Sequence, residues 1–194
     1  FIRSMPTSTV QETKRKPDTT LRCVYKDDLR HEILLMKWWQ AIVVAGELEQ
    51  TLCRSLHTPL AFCAHFSQPD ILRFCIDEEG IWFAFWVEPL LAGGIQGLWV
   101  RPTYRKSRIG ADTFLRALDW GFGIYPLLLS TTIQEKVARQ LKYLGYTATY
   151  NIPGLWPCAT DCLIQYQTRE HWQDWRIFIQ KHTRRHGYER CEGR

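Results

Sequence analysis

The chain has 194 residues, of which 45% are hydrophobic, and it carries a formal net charge of +5. These values suit one domain with a packed core, with or without appendages. The charge is too small to indicate nucleic-acid binding by itself, and the most apolar stretch, residues 33–46, is shorter than the ~20 residues that span a bilayer. We therefore expect a cytoplasmic protein with no membrane association.

Both ends of the chain are polar and basic. Residues 14–16 read Lys-Arg-Lys, and residues 181–194 are again rich in basic side chains. We expect a flexible N-terminal arm over residues 1–20, one domain over 21–180 and a basic tail over 181–194. These termini leave nucleic-acid contact open as a minor hypothesis, and the oligomeric state is also open.

The seven cysteines show no Cys-x-x-Cys spacing, and several lie in apolar stretches. We interpret them as reduced, mostly buried thiols. Cys158 and Cys162 are four residues apart, but no four-ligand pattern surrounds them, so we expect neither a disulfide nor a bound metal.

In the first third of the chain the pattern predicts a strand over 21–26 and a helix over 28–45 that begins at Asp27–Asp28. A second helical piece is expected over 47–56, and residues 57–69 are expected to form a connection. The first helix is expected to bury Leu29, Ile33, Met36 and Ile42.

The remaining chain alternates strand and helix patterns. They predict a hairpin over 71–91, strands at 95–100, 126–132, 147–152 and 162–167, and helices over 108–121, 134–144 and 170–183. Trp172, Trp175, Phe178 and Ile179 share one face of the last helix, which we expect to pack within the domain. This order predicts an α/β fold with a mixed, mostly antiparallel sheet, a central parallel strand pair and flanking helices.

The stretch VRPTYRKSRIGADTFLRAL, residues 100–118, places a basic loop between a strand and a helix. The first N–H groups of a helix lack internal partners and favour an anion, and Arg105, Lys106 and Arg108 would add charge-assisted contacts. Gly110 would let the anion approach the backbone. The pattern indicates a phosphate or pyrophosphate site, with a solvated basic turn as the alternative.

Two stretches resemble the GNAT superfamily of N-acetyltransferases. LWVRPTYRKSRIGADTFL is similar to the cofactor signature of that family, and LLLSTTIQEKVARQLKYLGY is similar to its later strand–helix ending. Arg108 departs from the first pattern, because it stands where the family has a glycine. The matching positions are Val100, Pro102, Tyr104, Arg105, Ile109 and Gly110 in the first stretch and Gln134, Val137, Leu141, Gly145 and Tyr146 in the second. The resemblance covers about residues 71–150.

The resemblance implies acetyl-CoA as co-substrate and a primary amine, on a small molecule or a protein, as acceptor. The pyrophosphate would lie on the N–H groups of residues 105–111, the pantetheine would run along strand 95–100, and an N–H near Val100 would polarise the thioester. The implied cofactor-binding residues are Leu98, Trp99, Val100, Arg105, Lys106, Ser107, Arg108, Ile109, Gly110, Ala111 and Gln134.

The catalytic acid and base are not evident in the sequence. Leu141 stands where family members often have a tyrosine that acts as the general acid. Gly94 stands where some members have a glutamate that acts as the base. Glu88, Ser130 and Tyr143 are weak candidates, each with an ordinary structural explanation. Three functions stay open: an acyl-CoA-dependent N-acyltransferase, a non-catalytic assembly subunit with the same fold, and an acetyltransferase acting on RNA or a ribonucleoprotein.

Overall fold

The computed structural model describes residues 17–24, 28–132, 134–152 and 162–185, which form one sheet with helices on both faces. The strands are β1 (Arg22–Cys23), β2 (Leu72–Asp77), β3 (Gly80–Leu90), β4 (Gly93–Val100), β5 (Leu127–Thr132), β6 (Thr147–Ile152) and β7 (Cys162–Thr168). The helices are α1 (Leu29–Val44), α2 (Leu48–Thr51), α3 (Pro59–Phe66), α4 (Arg108–Ile124), α5 (Glu135–Tyr143) and α6 (Arg169–Arg185).

The seven strands lie in the order β1-β2-β3-β4-β5-β7-β6. Strands β4 and β5 are parallel and are joined by α4, whereas the other neighbours are antiparallel. A parallel pair requires a crossover connection, which α4 supplies. The mixed sheet with a central parallel pair and flanking helices is confirmed.

One face of the sheet is covered by α1 and α3 through an aromatic cluster. Trp38 of α1 is fully buried, and its ring centroid lies 4.8 Å from that of Phe62 and 4.9 Å from that of Phe66, both in α3. The Trp86 and Trp99 rings of the sheet lie 6.0 and 6.2 Å away. These contacts fix α1 on β3 and β4, next to the end of β4 where the candidate site lies.

The predicted buried stripe of α1 is mostly wrong. Leu29, Ile33 and Met36 are exposed, although Ile42 is buried as expected. The helix instead buries Leu35, Trp38 and Ile42. Both stripes have helical spacing. The stripe that packs on the sheet is the one with Trp38, whose ring fills the space between α3 and β4.

Residues 57–69, expected to be a connection, contain α3. Pro59 occupies the first helical turn, where a missing N–H costs nothing, and Thr58 caps the helix because its Oγ1 accepts from Ala61 N at 3.3 Å. Pro59 therefore begins a helix inside the segment that was expected to be a connection.

The opposite face is covered by α4, α5 and α6. Phe122 of α4 stacks on Trp172 of α6, and Trp172 stacks on Trp175, each pair with centroids 5.6 Å apart. The last helix thus packs within the domain as expected, although Phe178 is 55% exposed.

Some predictions concern the start of the described chain or residues that the structure does not describe. Residues 17–20 were assigned to the arm, but Trp82 Nε1 donates to Asp18 O at 3.0 Å, so this part contacts the sheet. The structure does not describe residues 1–16, 25–27, 133, 153–161 and 186–194, which include Cys158 and Cys191. The described cysteines are all free thiols: Cys23, Cys53, Cys63, Cys75 and Cys162. Among the helices of the described ranges, none has the length and apolar character needed to cross a membrane.

Candidate functional site

The parallel strands β4 and β5 separate at their carboxyl ends. Their pairing runs from Gly94 opposite Leu128 to Gln96 opposite Ser130 and ends there, whereas β4 continues to Val100. Ends of parallel strands that part in this way form a crevice, which is the usual position of a ligand in an α/β sheet. The crevice lies between the last residues of β4 and those of β5.

The last main-chain groups of β4 face this crevice. Arg101 N donates to Trp82 O at 2.8 Å, so Arg101 and every second residue before it direct their N–H and C=O groups toward β3. The alternate residues, Leu98 and Val100, direct theirs toward the β5 side. Arg105 Nε donates to Val100 O at 2.7 Å on that side.

The basic loop leads directly into α4, and Ser107 caps this helix. The Ser107 Oγ accepts from Gly110 N at 3.1 Å and donates to Tyr104 O at 2.7 Å. The hydroxyl thereby closes the loop against the first turn of the helix. The N-terminus of α4, with its positive dipole end, lies beside the end of β4.

Gly110 has a different role from the one expected. A Cβ at this position would lie 2.6 Å from Tyr104 O, so the glycine is needed because the loop backbone packs against the helix. Gly110 is also buried. Close packing of the loop on the helix is a sufficient reason for this glycine, and the approach of an anion stays a prediction.

The base of the loop is fixed by Asp77 at the end of β2. Arg101 Nη1 lies 2.7 Å from Asp77 Oδ2, and the two side chains are only 13% and 12% exposed. The Tyr104 hydroxyl donates to the same carboxylate at 3.0 Å. Burial, followed by the hydrogen bond to Asp77, raises the pKa of Tyr104. Tyr104 therefore serves to position the loop.

A carboxylate that sequence analysis missed reaches the basic loop. Glu47, between α1 and α2, forms a two-pronged ion pair with Arg105 and accepts a hydrogen bond of 3.1 Å from Trp99 Nε1. Its side chain is 17% exposed. Near Glu47 the sequence shows only Gly46, which has a φ of +67° and marks the end of α1. The ion pair itself joins residues 58 positions apart, and no sequence pattern links positions so far from each other.

The other members of the predicted donor site surround the same crevice. Arg108, Lys106 and Ala111 are exposed at the start of α4, and Arg108 Nε lies 3.5 Å from Asp112 Oδ2. Gln134 Nε2 donates to Gln50 Oε1 at 2.8 Å, which joins the start of α5 to α2. The structure therefore brings the predicted loop, strand end and Gln134 together around one opening, with α2 along its rim.

The three catalytic candidates are not brought together. Glu88 of β3 faces α3, where its Oε1 lies 3.5 Å from His65 Nε2. Ser130 of β5 is buried opposite Gln96 and shares a sheet face with Leu128, on the α4 side. Tyr143 is 82% exposed at the end of α5.

A buried polar pair lies below the crevice. The Tyr146 hydroxyl donates to Gln96 Oε1 at 2.6 Å, and both side chains are buried. Burial raises the pKa of Tyr146 far above its ordinary value, although the bond to Gln96 acts in the opposite direction. The pair ties Tyr146, three residues after the end of α5, to Gln96, the last β4 residue that pairs with β5.

This pair predicts a specific loss of stability in alkali. Tyr146 stays protonated in the folded chain, whereas in the unfolded chain it loses its proton above about pH 10. Its contribution to the free energy of unfolding is therefore fully present below about pH 10 and decreases above it. One such group contributes a slope of up to ~1.4 kcal/mol per pH unit. We expect Tyr146→Phe to be less stable than the parent at pH 8, with a difference that narrows from pH 10 to 11. Denaturant unfolding of both proteins across this range measures it, and parallel curves would contradict the assignment.

Across residues 17–24, 28–132, 134–152 and 162–185, no group of three or more His, Cys, Asp or Glu side chains is arranged to hold a metal ion. The residues around the crevice instead offer main-chain N–H groups, cations and the carboxylate of Glu47.

No protein-family model matches the sequence, and no curated protein matches it. Solved structures do match the fold. The ribosomal-protein-S5-alanine acetyltransferase from Vibrio fischeri aligns with a TM-score of 0.61 and 14% identity over 78% of this chain and 93% of its own. Mutant forms of the spermidine/spermine N-acetyltransferase SpeG from Vibrio cholerae give 0.59 and 11% over 80% and 96%.

RimL, a ribosomal L7/L12 alpha-N-protein acetyltransferase solved in complex with coenzyme A, aligns with a TM-score of 0.56 and 13% identity over 79% of this chain and 96% of its own. A GNAT-family acetyltransferase from Bacillus anthracis gives 0.55 and 12% over 80% and 98%. Each alignment covers most of both chains. The chain has the fold of the GNAT-family acetyltransferases.

Proposed function

We propose that this chain is an N-acyltransferase that moves an acetyl or other acyl group from coenzyme A to a primary amine. The observation that carries the proposal is the crevice between β4 and β5, which opens beside the capped N-terminus of α4 and its basic loop. RimL, which has the same fold, was solved with coenzyme A.

The donor would extend from the basic loop into the crevice. The pyrophosphate would lie on the basic loop and the first turn of α4, where helix dipole and basic side chains favour negative charge, while the N–H groups of Gly110 and Ala111 donate to Ser107. The pantetheine would run along Leu98–Val100, whose alternate main-chain groups face the β5 side. Gln134, on the opposite rim, would close the binding site at the start of α5.

The chemistry requires little from side chains if the donor is held this way. The amine nitrogen attacks the thioester carbonyl carbon, a C–N bond forms, the C–S bond breaks, and the thiolate of coenzyme A takes a proton. A main-chain N–H of Leu98 or Val100 would stabilise the negative oxygen that develops. Water would carry the proton from the ammonium, since Glu88, Ser130 and Tyr143 lie apart.

Glu47 is a candidate for contact with the acceptor. Its carboxylate lies at the rim of the crevice on the α2 side, oriented by Trp99 and Arg105. An ammonium group would gain a charge-assisted hydrogen bond there. Proteins with this fold are named as acetyltransferases of spermidine or of ribosomal proteins. Either class of amine suits this carboxylate.

The second candidate function is a non-catalytic binding or assembly subunit. Leu141, at the position of the family's tyrosine, is buried and cannot donate a proton. A chain that bound no acyl-CoA would favour this alternative, because fold alone does not determine activity.

Calorimetric titration with acetyl-CoA tests the proposal. We expect saturable binding, weakened at least tenfold (about 1.4 kcal/mol) in an Arg105→Gln/Arg108→Glu variant that loses charge-assisted contacts to phosphate. Glutamine is chosen at 105 because a glutamate would face Glu47. Lys142→Glu, exposed near the far end of α5, is the charge control and should bind as the parent does.

Absence of binding in the parent would reject the acyltransferase function. Equal affinity in the parent and the double variant would instead move the pyrophosphate away from this loop.

A further inference from the structure

An open groove lies on the opposite end of α4 from the basic loop. It has a volume of about 690 Å³ and lies between the last turns of α4 and the first half of α6. Gly123 is 16 positions after Ser107, which corresponds to roughly 24 Å along the helix at ~1.5 Å per residue. The groove is therefore separate from the proposed acyl-donor site.

The charged residues that line the groove are two arginines and one aspartate, so their sum is one positive charge. Arg176 forms an ion pair with Asp119, with Nη2 at 2.8 Å from Oδ2, and Trp172 Nε1 donates to Asp119 Oδ1 at 2.9 Å. Asp119 is thus engaged by two donors. Arg169 also lines the groove, and within the described part of the chain no carboxylate pairs with it.

Arg169 has a buried donor that lacks a partner. Its Nε is inaccessible to solvent and makes no hydrogen bond within the described ranges, although its main-chain N–H donates to Pro126 O at 2.9 Å. The guanidinium of Arg169 therefore carries a charge that no carboxylate of the described residues compensates. An anion in the groove would neutralise this charge and bring acceptor oxygens to the Nη groups, since a ligand in an open groove does not reach the buried Nε.

The rest of the lining is apolar except for Gln173. Phe122 and Trp172, stacked with centroids 5.6 Å apart, line the groove but are 2% and 3% exposed, whereas Ile177, which is 50% exposed, offers more apolar surface. Gly123 leaves the α4 side open, because nothing lies within 4 Å of the position a Cβ would take there. A ligand that satisfies both parts carries an anionic end and an apolar body.

We infer that this groove binds a small organic carboxylate, with the carboxylate on Arg169 and the apolar body along Phe122, Trp172 and Ile177. Arginine presents a planar fork that matches a carboxylate. The apolar lining distinguishes this ligand from inorganic phosphate, which could use only the charge. The inference does not depend on the acyltransferase function.

Calorimetric titration of the full chain with octanoate tests the site, with octan-1-ol and inorganic phosphate as matched probes. We expect saturable binding of octanoate and at least tenfold weaker binding of the other two, since each lacks one of the two features. Equal affinity for octanoate and octan-1-ol would overturn the role of Arg169. No octanoate binding would overturn the site.

Two variants locate the binding. Gly123→Leu places a side chain in the groove at a helix position with open space, and we expect it to abolish octanoate binding without loss of folding. Gly123→Ala is the control and should retain most of the affinity. Arg169→Gln should lower octanoate affinity at least tenfold without changing that for octan-1-ol. Octanoate affinity that is unchanged in Gly123→Leu would place binding elsewhere and overturn the proposal, even if Arg169→Gln failed to fold.

Discussion

Leu98→Pro is expected to lower kcat for acyl transfer by about 10²- to 10³-fold, the usual cost of removing one oxyanion-stabilising donor. The expectation rests on the proposed function and on the direction of the Leu98 main-chain groups toward the β5 side. A main-chain N–H cannot be removed by changing any ordinary side chain, whereas proline has no N–H at all. The substitution therefore tests the backbone contribution directly.

The fold should tolerate this proline. Residue 98 lies beyond the last β4–β5 pair, and its N–H is directed away from β3, so the β3–β4 ladder keeps its hydrogen bonds. Proline is found in strands at such edge positions. The preceding residue, Gly97, is already in a strand, which is the conformation a following proline favours.

The control is Leu98→Ala, which keeps the N–H and removes the half-exposed side chain. It should retain kcat within a few-fold, and acetyl-CoA affinity should change less than kcat in both variants. Release of free thiol from acetyl-CoA, with spermidine or an alanine-initiated peptide as acceptor, measures the rate. Equal rates in Leu98→Pro and the parent, with both proteins folded, would remove Leu98 from the oxyanion role and favour Val100.

Local signals in the sequence were sufficient for the elements that position the crevice. The hairpin follows from the turn Asp77–Gly80 between two apolar runs, and the β4–α4 connection follows from a strand pattern that ends in a basic loop. The parallel pairing of β4 and β5 follows because a helix of this length joins them. Each of these features depends on residues that are close in sequence.

Features that depend on distant residues could not be predicted. Two stripes of α1 have helical spacing, and only the shape of the sheet and α3 selects the one with Trp38. The contact of Glu47 with Arg105 depends on how α1 and α2 lie against β4. The close packing of Gly110 against Tyr104 O depends on the path of the loop, which no local pattern predicts.

The cluster around Trp38 predicts the largest effect on stability. Trp38→Ala is expected to reduce the free energy of unfolding by about 3–5 kcal/mol, because it leaves a cavity where four aromatic rings meet one side chain. Domains of this kind have about 5–15 kcal/mol in total, so the loss is a large fraction of the stability and the variant should unfold at a clearly lower urea concentration than the parent. Urea denaturation followed by circular dichroism measures the change.

Trp38→Phe separates the contribution of ring packing from the cost of the unpaired indole N–H at the same position. Trp38 Nε1 is buried and has no partner in the described part of the chain, so phenylalanine removes an unsatisfied donor while it keeps an aromatic ring. We expect a loss of roughly 1–2 kcal/mol, well below that of alanine. Similar losses in both variants would show that ring packing does not hold α1 on the sheet. The comparison also bears on the crevice, because the same helix leads into Glu47: a loosened α1 should weaken the contact of Glu47 with Arg105 before the sheet itself unfolds.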